Sequence, residues 1–355
     1  MNFYEAMQLG TCDLKPLIKA AEDEKLKKKY VKALTVKNFA CILFCIAVVT
    51  FFNNMFGVEN AIVGVVTVII LMTFRFSNFD FNTGQSAIAM LCIFAIFIIS
   101  PCLATMVNPI TGSIINFVSM MVIVVLSCHN VALSNQSTLL LSYLLLYGYK
   151  INDINVYTNR SYALVLGGII VAGIFYYKHR KIEFENSFSD IIKDINFKSE
   201  RTKWQLKLVL GVTTVILMGE ILNSPRVMWI ALACMSVLQP DKEKIKYRSK
   251  IRYIFSIIGC LMFAAVYLIL PQEYRTYAGL FGGIMVGFSG KYSWQTSFNS
   301  FGALAAVVPL FGLSGAIIIR VSSNIIGVIY SRLYGTVFDK IADKIFIGDT
   351  IHEIG

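Results

Sequence analysis

The sequence predicts an all-α, polytopic membrane protein: a helical bundle of about 12 transmembrane helices in two parallel six-helix repeats, plus short amphipathic cytoplasmic helices. Three observations point there. The 355 residues are 56% apolar and 15% charged, against roughly 45–50% and 25% in soluble domains, and the mean hydropathy is +0.66. The apolar residues gather in runs long enough to enter a bilayer, whose core needs about 20 helical residues. The cations gather in alternate loops. This composition excludes disorder, because so much apolar surface requires burial. A soluble chain with a formal charge of +11 would suggest nucleic acid, but membrane proteins collect Lys and Arg in cytoplasmic loops, so no nucleic-acid partner is expected.

Residues 1–37 form a basic amphipathic segment containing the run KLKKKYVKAL. Apolar character begins only at Phe39, after that run, which is not the layout of a cleaved signal. The first span is therefore expected to stay in the mature chain. Candidate spans follow at 38–53, 60–74, 85–103, 110–127, 134–148 and 161–177, the first repeat (38–177). An amphipathic linker, 178–205, places Phe184, Phe188, Ile191, Ile192 and Ile195 at helical spacing. Spans at 206–222, 226–239, 252–270, 276–290, 297–311 and 313–330 make the second repeat (206–330). The tail, 331–355, again spaces Leu333, Val337, Phe338, Ile341 and Ile345 helically. Segments 60–74, 134–148 and 226–239 are short for a crossing, which points to broken or re-entrant helices.

Charge tests the count. With twelve spans and the N-terminus inside, the inner segments hold 27 Lys and Arg, the outer ones only Lys150, Arg160, Arg226 and Arg275, and Arg320 lies within a span. That asymmetry predicts both termini on the cytoplasmic side of the plasma (inner) membrane. An offset of about 166 residues lays the first half on the second. Six being even, the halves share orientation, and the seam between such repeats is the default substrate path. One pattern recurs: Arg160, Arg252 and Arg320 each precede a glycine (Gly167, Gly259, Gly327) by seven residues, about two turns, so both members share a face. Glycine admits a close backbone, and arginine at that depth needs an anionic or carbonyl partner. In the first half Gln85 stands where the second has Arg252.

The stretch SPRVMWIALACMSVLQP (224–240), a basic loop, and then KIRYIFSIIGCLMF (250–263) resemble the fusaric acid resistance (FUSC) family of aromatic acid exporters. Gln239-Pro240, Arg248, Arg252 and Gly259 fill that family's pattern of a Trp-containing span, a Gln-Pro turn, a basic loop and an Arg-rich helix start. The likeness is strongest over 204–330. It implies a six-span unit, repeated, and export of organic acids. Plant malate channels are distant relatives of the family, which brings a passive anion pore into consideration.

Candidate substrate-binding residues are Arg320, Arg160, Arg226, Trp229 and Asn324. Arg320 sits deep in its span beside Ser322, Ser323 and Asn324, either lining an anion-attracting cavity or held in a structural pair. Arg226 and Trp229 read as one helical face suited to an aromatic carboxylate, or as interfacial anchors. Glu220 is the candidate proton-coupling carboxylate, the alternative being an ion pair with Arg226. Arg248, Arg252 and Gln239 mark a cytoplasmic mouth, where lipid phosphate is the alternative partner. Cys41, Cys45, Cys92, Cys102, Cys234 and Cys260 lie in or beside apolar runs, no C-x-x-C occurs, and buried free thiols are expected. His129, His179 and His352 fall in loops or tails. No metalloprotease, esterase, Walker or EF-hand motif is present, so no enzyme activity, cofactor or metal is expected. The functional expectation is a secondary-type transporter exporting amphipathic organic acids, aromatic acids among the candidates. The alternatives are a passive anion channel of the same fold, or a non-transport membrane scaffold or envelope protein. The partners are the lipid bilayer and a small organic anion, with homo-oligomerisation left open.

Overall fold

A computed structural model describes residues 1–352, with side chains through Ile345. Among the described residues the chain is all-helical: fourteen α-helices, three 3-10 turns and no strand. Seven helices are long and apolar enough to cross a membrane: α3 (Glu24–Phe56), α5 (Thr83–Met106), α6 (Pro109–Ser127), α8 (Ile154–His179), α10 (Glu200–Ile221), α12 (Lys242–Ile269) and α14 (Tyr292–His352). Several starts are written locally. Asn82, Asn108 and Asp153 cap α5, α6 and α8 by accepting from first-turn amides, and Pro109 fits the first helical position of α6.

Four apolar helices are short: α4 (Ala61–Phe74), α7 (Gln136–Gly148), α11 (Val227–Val237) and α13 (Ala278–Phe288), of 14, 13, 11 and 11 residues. At 1.5 Å per residue they reach only about 17–21 Å, short of a ~30 Å hydrocarbon core. Helix α14 has the opposite problem, since its 54 residues through Ile345 would run about 80 Å if straight. Gly312, at φ 68° and ψ 171°, breaks it. A side chain does not tolerate that backbone, and the break falls between the two spans expected at 297–311 and 313–330.

By packing, the chain falls into two units, with boundaries inside α3, α12 and α14. Unit 1 comprises Met1–Ala47 and Tyr247–Ile325. There α1 (Phe3–Gln8) and α2 (Thr11–Ala20) fold back on the start of α3 around Ala6, Leu14, Tyr30, Ala33 and Leu34. Thr11 Oγ1 donates to the Gly287 carbonyl (2.8 Å). The basic segment is thus two short helices plus the first turns of α3, which continues unbroken into the apolar stretch.

Unit 2 comprises Val48–Lys246 and the chain from Ile326 onward. One apolar core joins α4 to α8, α10 and α11, with Phe74, Phe79, Phe81 and Phe175 clustered at ring separations of 5.2–6.3 Å. The short helices α4, α7 and α11 are mostly buried here, which is where broken helices are tolerated at membrane depth. The linker holds only α9 (Phe188–Lys193), with Ile191 buried and Phe188, Ile192 and Ile195 exposed. The tail forms no separate helix, because α14 runs on through it. The Tyr334 and Phe338 rings lie 5.9 Å apart and tilted, while Leu333, Val337, Ile341 and Ile345 stay exposed. All eight cysteines are free thiols, of which Cys128, Cys234 and Cys260 are buried. His179 is the buried last residue of α8 rather than a loop residue, its Nδ1 2.9 Å from the Phe175 carbonyl. The His352 side chain lies outside the described residues.

Candidate functional site

Unit 1 brings two arginines to one polar seam. Arg320 and Asn324 are one turn apart on α14, and the Asn324 amide donates to the Arg320 carbonyl (2.8 Å). The same amide's Oδ1 accepts from Arg252 Nε on α12 (3.0 Å). Arg320 and Asn324 are buried at 7% and 2% exposure. The helices can meet this closely because of Gly259, where a Cβ would overlap the Ser297 carbonyl oxygen and sit 2.7 Å from its Cα. Ser297 Oγ in turn donates to the Phe255 carbonyl (2.8 Å). Ser256, one turn beyond Arg252, is buried and its hydroxyl has no hydrogen-bond partner. Residues 249–270 and 278–325 contain no Asp or Glu. The seam therefore combines two guanidinium groups, an amide and an unused hydroxyl without a carboxylate of those segments to neutralise them. A charge at membrane depth costs at least about 2.5–3.5 kcal/mol unless solvated or paired.

Unit 2 holds the other candidates in other surroundings. Arg160 on α8 is buried and donates from Nε to Asn60 Oδ1 (3.0 Å), from Nη1 to the Tyr149 carbonyl (2.6 Å) and from Nη2 to the Glu59 carbonyl (3.0 Å). Those bonds pin the start of α4 and the α7–α8 loop, and they supply the carbonyl partners that an arginine at this depth requires. At its pattern-mate Gly167 a Cβ would sit 2.5 Å from Thr67 Oγ1, closer than contact allows. Glu220, near the end of α10, accepts from Tyr147 OH (2.9 Å) and Lys150 Nζ (3.1 Å), so its cationic partner is Lys150, not Arg226. Arg226 takes left-handed φ/ψ (58°, 49°) before α11 begins. It shares no helical face with Trp229, which points into the unit at 2% exposure. Gln239 is buried at the end of α11 and bonds back to the Ser236 carbonyl (3.3 Å). In unit 1 the Arg248 guanidinium lies over the Tyr292 ring, 5.0 Å from its centroid.

Two polar contacts in unit 2 were not foreseen. Lys207 on α10, 8% exposed, bonds both carboxylate oxygens of Asp339 on α14 (2.8 and 2.9 Å). A stretch of 132 residues separates them, so no local spacing announces the pair. His129, between α6 and α7, accepts at Nδ1 from Arg201 (2.9 Å), with Asp194 nearby (4.0 Å). Burial first, and Arg201 second, hold this imidazole below its ordinary pKa against the pull of Asp80 and Asp194. Gln85, the counterpart of Arg252, accepts from the Phe188 backbone amide (2.7 Å) and docks α9.

Residues 213–333 match the family model described as fusaric acid resistance protein-like. The match covers all the residues of the two-arginine seam and bears out the resemblance over the second half of the chain. No curated protein matches, and no solved structure matches. With its apolar helices, the chain is a multi-pass membrane protein similar to the fusaric acid resistance family, and that likeness points to a transport-related role in a lipid bilayer.

Proposed function

We propose that the protein is a secondary-type transporter that exports amphipathic organic acids, with the seam of Arg252, Arg320 and Asn324 as the anion site. In this reading the chain crosses the plasma membrane twelve times, as two sets of six spans with both termini cytoplasmic. It has no enzymatic activity, cofactor or metal. The observation that carries the reading is the seam itself: the Arg252 guanidinium bonds the buried Asn324 amide, one turn from Arg320, along stretches (249–270 and 278–325) that contain no Asp or Glu. Charge-assisted bonds from arginine suit a carboxylate, and the unpartnered Ser256 hydroxyl offers a further donor to it. Arg248 and Gln239 belong to the cytoplasmic approach, Arg226 and Trp229 to the opposite end, and Arg160 holds the scaffold. Glu220 is the carboxylate available for proton coupling, with Lys150 replacing the proton's charge when it is ionised.

Transport of a panel of radiolabelled aromatic and aliphatic carboxylates by proteoliposomes tests the proposal. Arg320→Ala should lower the rate at least tenfold, with Arg320→Lys intermediate. Equal rates for wild type and Arg320→Ala with every acid would remove the seam from the mechanism. Glu220→Gln should abolish dependence on a proton gradient. Currents in planar bilayers that follow voltage alone and ignore Glu220→Gln would make the protein a passive anion channel instead.

A further inference from the structure

We infer that the first turns of α3 form a binding site for an anionic phospholipid. Helix α3 is 33 residues long, about 50 Å at 1.5 Å per residue. A ~30 Å hydrocarbon core leaves about 13 residues outside it, which places the headgroup layer near residue 36. The exposed face changes character at that point. Lys25, Lys28, Lys32, Val36, Phe39, Leu43 and Ile46 follow one another at three- and four-residue steps, and all are exposed. Steps of three and four keep to one helical face. Three cations thus give way to four apolar side chains on a single stripe. The opposite face (Tyr30, Ala33, Leu34) is already covered by α1 and α2.

Part of the stripe (Lys28, Lys32 and Val36) also belongs to a shaped surface. Lys27, Lys28, Val31, Lys32, Thr35 and Val36, with Glu24 at its upper rim, line an open depression of about 440 Å³. The depression places ammonium groups above methyl groups, the order in which a phospholipid presents its phosphate and its acyl chain. Glu24 pairs only with Lys28, through an exposed contact (3.4 Å), and such contacts hold weakly. Lysines at a membrane surface each add about fivefold to the affinity for anionic lipid. Lipid phosphate, rather than free phosphate, is favoured because the cations continue directly into Val36, Phe39 and Leu43, which a free ion would not use.

The test uses the full chain in detergent and titrates in phosphatidylglycerol or phosphatidylcholine with the same acyl chains, with native mass spectrometry reading the bound lipid. Wild type should retain phosphatidylglycerol on the order of 100-fold better. The triple variant Lys27→Gln, Lys28→Gln, Lys32→Gln should lose that preference while melting at the wild-type temperature, and Lys→Arg at the same three positions should keep it. Equal retention of the two lipids by wild type, or an unchanged preference in the triple Gln variant, would overturn the assignment. Displacement of the lipid by millimolar inorganic phosphate, beyond the effect of chloride at equal ionic strength, would overturn it in favour of a free-phosphate site. The binding readout does not depend on transport.

Discussion

Arg160 and Arg320 occupy corresponding places in one seven-residue pattern, yet their side chains do different work. Arg160 spends its N–H groups on two carbonyls and one amide oxygen, so it closes a structural account within its own unit. Arg320 lies one turn from Asn324, whose side chain accepts from a second cation, Arg252, and donates to the Arg320 main-chain carbonyl. The glycines of the pattern behave alike: at 167, 259 and 327 an added Cβ would meet neighbouring atoms far inside van der Waals contact. The spacing was readable because seven residues return to one helical face, and it identified the tight packing positions. It did not identify the arginines' partners, most of which come from segments 72 to 101 residues away. Gly259→Ala should therefore lower the detergent melting temperature by several degrees, an overpacking cost of about 1–3 kcal/mol. Gly302→Ala, where nothing lies within 4 Å, should leave it unchanged or slightly raised, because alanine favours a helix. Equal melting of the two variants would refute the close approach.

The helices were visible in the sequence where they are apolar, the short ones included, and misjudged in the amphipathic tail and linker, where tertiary packing decides. Helices α4, α7 and α11 fall where the sequence marked its three short spans (60–74, 134–148 and 226–239). The tail read as a separate surface helix because its stripe is apolar on one side. In the structure the opposite side, with Tyr334 and Asp339, packs within unit 2 against Gly211 and Lys207, a partner the local pattern does not encode. The linker was over-read too: of the five apolar residues at helical spacing, Ile191 reaches the core. What anchors the linker is polar, with Gln85 on α9 and Arg201 on His129. His129 makes that anchor sensitive to acid. Its pKa lies below the ordinary 6.5, so the unfolded chain takes up the proton first. The stabilisation is full above about pH 6.5 and is lost as the pH falls through the lower folded value. A protonated Nδ1 also stops accepting from Arg201. Hydrogen-exchange protection over 128–135 and 194–202, taken relative to the intrinsic rate at each pH, should be higher at pH 7.5 than at pH 5.5, and His129→Asn should flatten the difference. Protection rising on acidification would contradict the sign.

Across unit 2, loop contacts sort into two ends in the order that the charge rule requires. At one end, Asn135 bonds the carbonyls of Asn78 and Ser127 (both 2.7 Å), Gln205 bonds that of Cys128 (3.1 Å), and Asn82 bonds that of Asn186 (3.0 Å). Trp204 Nε1 reaches the Leu238 carbonyl (3.2 Å), which brings the segment after α11 to that end as well. At the other end Arg160 ties Glu59 and Asn60 to Tyr149, and Glu220 meets Tyr147 and Lys150. No loop assigned to the cation-rich side by sequence bonds one assigned to the cation-poor side among these contacts. Helices joined in this way must alternate in direction, because each short connection emerges at the end where its neighbours emerge. The charge count assigned sides using nothing but where lysine and arginine fall, so the two lines of argument are independent. Together they predict that residues 150 and 244 face opposite compartments. In a chain whose eight cysteines are replaced, Lys150→Cys should react with a membrane-impermeant maleimide from outside intact cells. Lys244→Cys should react only after permeabilisation, at a rate at least tenfold above its rate in intact cells. Labelling of both from the same side would break the alternation, and with it the assignment of Arg160 and Glu220 to the end opposite Arg201 and Lys244.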